Sequence, residues 1–143
     1  MKILGIHHLG VAVRDLEKSV ARWTSLFGAK SGPVEELPER GVRLAQLRFP
    51  EGPAVELVSP AGENSPLARF LAERGEGIHH LTLEVEDIEA AMRELAKGGL
   101  LLLSDSPQEG AEGSRVFFIH PRSFGGILLE LRESRGGPGR IQP

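Results

Sequence analysis

Two histidines and two glutamates recur at matching places in the chain. His8 stands in GIHHLGVAVRDLEKSV (residues 5–20) and His80 in GIHHLTLEVEDIEAAM (residues 77–92). Each half also sets one acid inside an apolar strand-like run, Glu56 between Val55 and Leu57 and Glu130 between Leu129 and Leu131. Two imidazoles and two carboxylates suit a divalent ion that keeps open positions for a ligand. The 143 residues include no cysteine, which removes thiolate nucleophiles, disulfides and Cys-based zinc sites and leaves His and the carboxylates as the ligands. Strand parity separates these histidines from their neighbours, because alternate residues face opposite sides. Leu9, Val11 and Val13 share a face with His7, while His8 lies with Gly10 and Ala12; Leu81, Leu83 and Val85 go with His79, and His80 with Thr82 and Glu84. The branched faces must cover a helix, so His8 and His80 are expected on the more open side. His7 and His79 are expected to be structural, as is His120 in IHP, which is alternatively a rim residue.

The two His-bearing stretches align without a gap at an offset of 72 residues, an internal duplication. Each copy reads as a strand, then Asp15 or Asp87 as a helix N-cap with Glu in the first turn, then an amphipathic helix. The helices are predicted over about Leu16 to Phe27 and Ile88 to Lys97, both closed by glycine. Strand-like segments follow each: LFGAKSGPVEEL, GVRLAQLRF and AVELVSP, then GLLLLS, SRVFFIHP and GILLELRE. The fold class is therefore α+β, with two βαβββ repeats at about 3–60 and 76–133 in a single domain spanning 1–135. The linker GENSPLARFLAERGEG contains a short helix with Ser65 as cap and Pro66 at its first position. Residues 136–143, rich in Gly and Pro, are expected to form a flexible tail.

The formal charge of -3 offers no basic surplus for nucleic acid or anionic lipid. No apolar run approaches the ~20 residues of a membrane helix, and MKILGIHHLGVAV interrupts its apolar residues with two histidines where a signal peptide needs an unbroken core. A cytoplasmic protein without nucleic-acid or membrane partners is expected.

The duplicated unit, with His at the end of IHHLGVAV and Glu in the closing strand, resembles the vicinal oxygen chelate superfamily, which includes glyoxalase I, extradiol dioxygenases and the methylmalonyl-CoA epimerases. The stretches HHLGVAVRDLEKSV, LPERGVRLAQL, SPLARFLAERGEGIHH and HPRSFGGILLEL are most similar to the epimerase branch. The resemblance implies a curved mixed sheet with a metal site in its cup and places the metal ligands at His8, Glu56, His80 and Glu130. It further implies a small-molecule acyl-CoA substrate, a divalent ion of which Co2+ is the family expectation (Mn2+, Ni2+, Zn2+ or Mg2+ would tolerate the same ligands), and a homodimer. The implied reaction interconverts (R)- and (S)-methylmalonyl-CoA by 1,1-proton transfer through a metal-stabilised enediolate, a step of propionate metabolism. Glu130 is the first candidate for one proton-transferring group and Glu56 its counterpart. Some epimerases carry a Glu where this chain has Leu44, which leaves the second base open; Gln46, on the same strand face, could orient a water or the substrate carboxylate. Ser65, Arg115, His120 and Arg122 border the inferred cup and could meet phosphate or pantetheine groups, but a solvated surface role is the better reading for each, and they are left out of the site. Two other activities remain open: a glyoxalase I-like lactoylglutathione lyase, and a metal-free drug-binding module of the same fold.

Overall fold

The computed structural model describes residues 1–134; the tail expected at 136–143 lies outside them. The elements in chain order are β1 (Ile3–Ala12), α1 (Leu16–Phe27), β2 (Lys30–Ser31), β3 (Glu35–Leu37), β4 (Val42–Arg48), β5 (Ala54–Pro60), α2 (Pro66–Arg74), β6 (Gly77–Val85), α3 (Ile88–Lys97), β7 (Gln108–Glu109), β8 (Arg115–Ile119) and β9 (Leu129–Glu133). The described residues form two compact units, one of residues 8–79 and one of residues 1–7 with 80–134.

The helices begin where local chemistry dictates. Asp15 accepts from the Lys18 amide at 3.0 Å and Asp87 from the Ala90 amide at 3.0 Å, each satisfying a donor that the first turn leaves unpaired. Ser65 does the same for Ala68 at 3.1 Å, with Pro66 in the first turn of α2. Gly28 closes α1 in the left-handed region at φ 67, a conformation that a Cβ would strain. At the end of α3 the expected closing glycine, Gly98, remains right-handed, and Gly99 takes the positive φ of 83 instead.

In the unit of residues 8–79, β1 runs parallel to β5, and β4 lies antiparallel to β5 with β2 and β3 on its outer side. Val11, Val13, Ala45, Leu47, Val55 and Leu57 face one way and enclose Leu16, Val20 and Trp23 of α1. In the other unit β6 is parallel to β9, β8 is antiparallel to β9, and β7 pairs β8. Val85, Phe117, Ile119 and Leu131 there enclose Ile88, Ala91 and Met92 of α3. Burying each large apolar side chain contributes about 1.5–3 kcal/mol, which is what commits these faces to the helices.

The duplication extends into ion pairs. Arg43 on β4 reaches Glu17 in the first turn of α1, and 72 residues later Arg115 on β8 reaches Glu89 in the first turn of α3 at 2.6 Å. Arg43 holds the Glu17 carboxyl below its ordinary 4.5, chiefly by hydrogen bonding. Arg115 also meets Glu133 at 3.1 Å, and the two carboxylates push its own pKa up.

Two strand expectations need correction. LFGAKSGPVEEL is not one strand, because Gly28 ends α1 inside it and two short strands, β2 and β3, follow. GLLLLS is not a strand at all. Leu100 and Leu102 pack against the core and Leu101 and Leu103 point outward, so the alternation is real, but the segment meets only the end of β8 and forms a single bridge, Leu102 to Ile119. Gln108–Glu109 pairs β8 in its place.

Candidate metal centre

Each unit positions one His–Glu pair by register. In residues 8–79, Gln46, Glu56 and Gly10 are cross-strand partners on β4, β5 and β1, and His8 lies two residues before Gly10 on the same face. His8 Nε2 stands 3.4 Å from Glu56 Oε2. The side-chain amide of Gln46 donates to that same oxygen. All three side chains are buried, with 2%, 5% and 4% of their surface exposed for His8, Glu56 and Gln46.

In the other unit Thr82, Glu130 and Phe118 are cross-strand partners on β6, β9 and β8, and His80 precedes Thr82 by two. His80 Nε2 stands 3.8 Å from Glu130 Oε1, and Thr82 Oγ1 donates to that oxygen at 2.6 Å. The His80 ring meets Phe118 edge-on with centroids 6.3 Å apart. His80, Glu130 and Thr82 are buried. The expectation that His8 and His80 lie on an open face is therefore wrong for these side chains. Parity correctly separated them from the helix-packed residues, but the His8 and His80 side chains are themselves buried, while Leu4, Ile6 and Ile78 of the same parity are exposed.

A carboxylate this deeply buried is costly unless cations or donors surround it. Each unit supplies an imidazole and one hydrogen-bond donor. Nitrogen and oxygen donors of these types, with the carboxylates fixed by outer hydrogen bonds, fit a divalent metal ion.

The remaining sequence candidates separate clearly. His7 accepts from Arg132, and His79 packs edge-on against Phe70 with centroids 4.9 Å apart. His120 Nδ1 accepts from the Arg122 amide at 3.0 Å and so caps a 3-10 turn, a structural role. Ser65 caps α2, and Arg115 is engaged by Glu89 and Glu133. Leu44 is 1% exposed on the face that carries Gln46, so this position offers an apolar side chain and no proton-transferring group. Thr82 was missed as a functional residue. Its parity with His80 was the available signal, but only the β6–β9 register reveals that it bonds Glu130. Arg132, 5% exposed and 3.8 Å from Glu84, was also missed, because nothing in LLELRE distinguishes a buried arginine from an exposed one.

Residues 7–118 match the family model described as the glyoxalase/bleomycin resistance protein/dioxygenase superfamily. The chain belongs to this superfamily. It is 40% identical over 130 residues to an ethylmalonyl-CoA/methylmalonyl-CoA epimerase of Cereibacter sphaeroides, covering 90% of this chain and 96% of that one. It is 37% identical over 130 residues to the mitochondrial methylmalonyl-CoA epimerase of Homo sapiens, covering 90% of this chain and 73% of that one. A solved methylmalonyl-CoA epimerase in complex with methylmalonyl-CoA and NH4+ superposes with a TM-score of 0.91 at 31% identity, covering 95% of this chain and 98% of that one.

Proposed function

We propose that the protein is a metal-dependent methylmalonyl-CoA epimerase that holds one divalent ion through His8, Glu56, His80 and Glu130. The observation that carries this reading is the pair of buried His–Glu couples, each with its carboxylate oxygen fixed by a separate donor, in a chain whose relatives at 37–40% identity are epimerases of this substrate. His8, His80 and Glu130 are moreover a set of buried donors suited to a metal ion.

Epimerisation at the carbon between a thioester and a carboxylate removes one proton and returns another to the opposite face, with no change in oxidation state. When bound, the ion would supply positive charge to the oxygens beside that carbon, making its proton more acidic. Glu130, ionised, takes the proton from one face of the carbon, while Glu56, carrying a proton on Oε1 when the substrate arrives, gives it to the other. The two glutamates end in exchanged protonation states and exchange with water resets them. Thr82 and Gln46 hold these carboxylates in fixed orientations, which reduces the motion needed before transfer. Co2+ is the proposed ion, the protein a cytoplasmic homodimer and the substrate a small acyl-CoA ester. Among the described residues, no helix is long and apolar enough to cross a membrane.

The test is deuterium wash-in at C2 of methylmalonyl-CoA in D2O, with metal-stripped and Co2+-reloaded protein assayed beside lactoylglutathione formation. Incorporation that disappears on stripping and returns on reloading is expected. Exchange unaffected by chelation, or activity only on the glutathione adduct, would overturn the reading.

A further inference from the structure

Gln46 is the most unusual side chain on its strand. Its neighbours Leu44, Ala45 and Leu47 are buried and apolar, and Gln46 is itself 4% exposed, so a polar amide occupies a place where methylenes would be cheaper to bury. Its amide nitrogen donates to Glu56 Oε2, the oxygen that His8 Nε2 approaches at 3.4 Å. An unprotonated carboxyl oxygen such as Glu56 Oε2 can only accept, so the amide presents its N–H2 to it and turns its carbonyl away. That carbonyl oxygen, Gln46 Oε1, is buried and meets no donor among the described residues.

We propose that Gln46 is a positioning residue that fixes Glu56 for ion binding and leaves its own carbonyl oxygen to accept from an O–H group brought in with the ion or the substrate. The inference rests on the functional reading above and goes beyond it by giving Gln46 a role in metal affinity. A carboxylate oxygen has two lone pairs, so Glu56 Oε2 can accept from Gln46 and still face a cation beside His8. Without the amide, the Glu56 side chain regains rotamers that point away from His8, and the ion must reorder it on binding. Hydrogen bonds of this outer kind typically change metal affinity 10- to 100-fold, so the expected loss is about 10-fold or more.

The experiment measures Co2+ affinity of the metal-stripped, full-length protein by competition with a chromophoric chelator, for wild type, Gln46→Leu, Gln46→Met and Leu47→Val. Leu47 is adjacent on the strand but packs in the helix-covered core, so Leu47→Val should lower Tm and leave affinity unchanged. Both Gln46 variants should bind Co2+ about 10-fold more weakly while remaining folded by circular dichroism. In the Co2+-saturated state they should also show a lower kcat with KM for methylmalonyl-CoA nearly unchanged. If wild type binds Co2+ and the Gln46 variants bind it equally well, the role of Gln46 is overturned and the metal site stands. Absence of Co2+ binding by wild type would overturn both.

Discussion

The two His–Glu pairs are built from the same duplicated unit yet supported by different strands. In residues 8–79 the donor to the carboxylate comes from β4, where Gln46 bonds Glu56, and the partner position on β1 is Gly10. In the other unit the donor comes from β6, where Thr82 bonds Glu130, and the place on β8 that corresponds to Gln46 is held by Phe118. The requirement is thus a donor on the carboxylate rather than a particular residue. Either flanking strand can meet it, because both neighbours of a strand residue present side chains on the same face. The exchange leaves His80 with an aromatic neighbour and puts an amide on the carboxylate beside His8, so the two pairs differ in the polarity around them.

The largest effect should come from the carboxylates. Glu130→Gln and Glu56→Gln, each saturated with Co2+, are expected to lower kcat for epimerisation by about 10²–10⁴-fold, the range for loss of one proton-transferring group. Stereospecific exchange from each methylmalonyl-CoA enantiomer should fail differently in the two variants under the proposal that each glutamate serves one face. Identical exchange losses from both enantiomers would remove the two-face division.

The cores come next. Phe117→Ala, at a side chain with no exposed surface, should cost about 3–5 kcal/mol in urea unfolding, and Leu57→Ala in the other unit about 2–5 kcal/mol. A cost below 1 kcal/mol at either site would mean that its sheet face is not committed to its helix.

Thr82→Val keeps the shape of the side chain and removes the hydroxyl that bonds Glu130. Co2+ affinity should fall by about 10-fold, matching the Gln46 variants if the two supports are equivalent. An unchanged value for Thr82→Val beside a weakened Gln46→Leu would show that only the β4 support matters.

The smallest effect is expected at the repeated surface pairs. Glu17 is exposed and its attraction to Arg43 is screened by water. Because its carboxyl is held below the ordinary 4.5, the pair stabilises the folded state above that pH, and the contribution is lost as pH falls through the lower folded value. The Tm difference between wild type and Glu17→Gln should accordingly be small at neutral pH and vanish in acid. A difference that grew on acidification would reverse the sign of this linkage.

Much of this structure was legible in local sequence. Asp15, Ser65 and Asp87 cap their helices because a cap acts within three residues of itself. Parity sorted Val11, Leu57 and Leu131 from His8, Glu56 and Glu130 because the strand period is two. GLLLLS misled for the complementary reason: its alternation fits a strand, but pairing depends on whether a partner strand runs alongside, and β8 ends too soon. The buried Arg132 and its contact with Glu84 were equally invisible, since burial of a charge depends on what the rest of the chain brings over it.

The sequence by itself determined the duplication and the helices with their caps, and it singled out His8, Glu56, His80 and Glu130 as the proposed ligands. Those follow from interactions and periodicities that span a few positions. Only the tertiary structure decided that Gln46 supports Glu56 while Thr82 supports Glu130, and that the His8 and His80 side chains are buried. Both depend on the register between strands up to 48 residues apart, which no local propensity specifies.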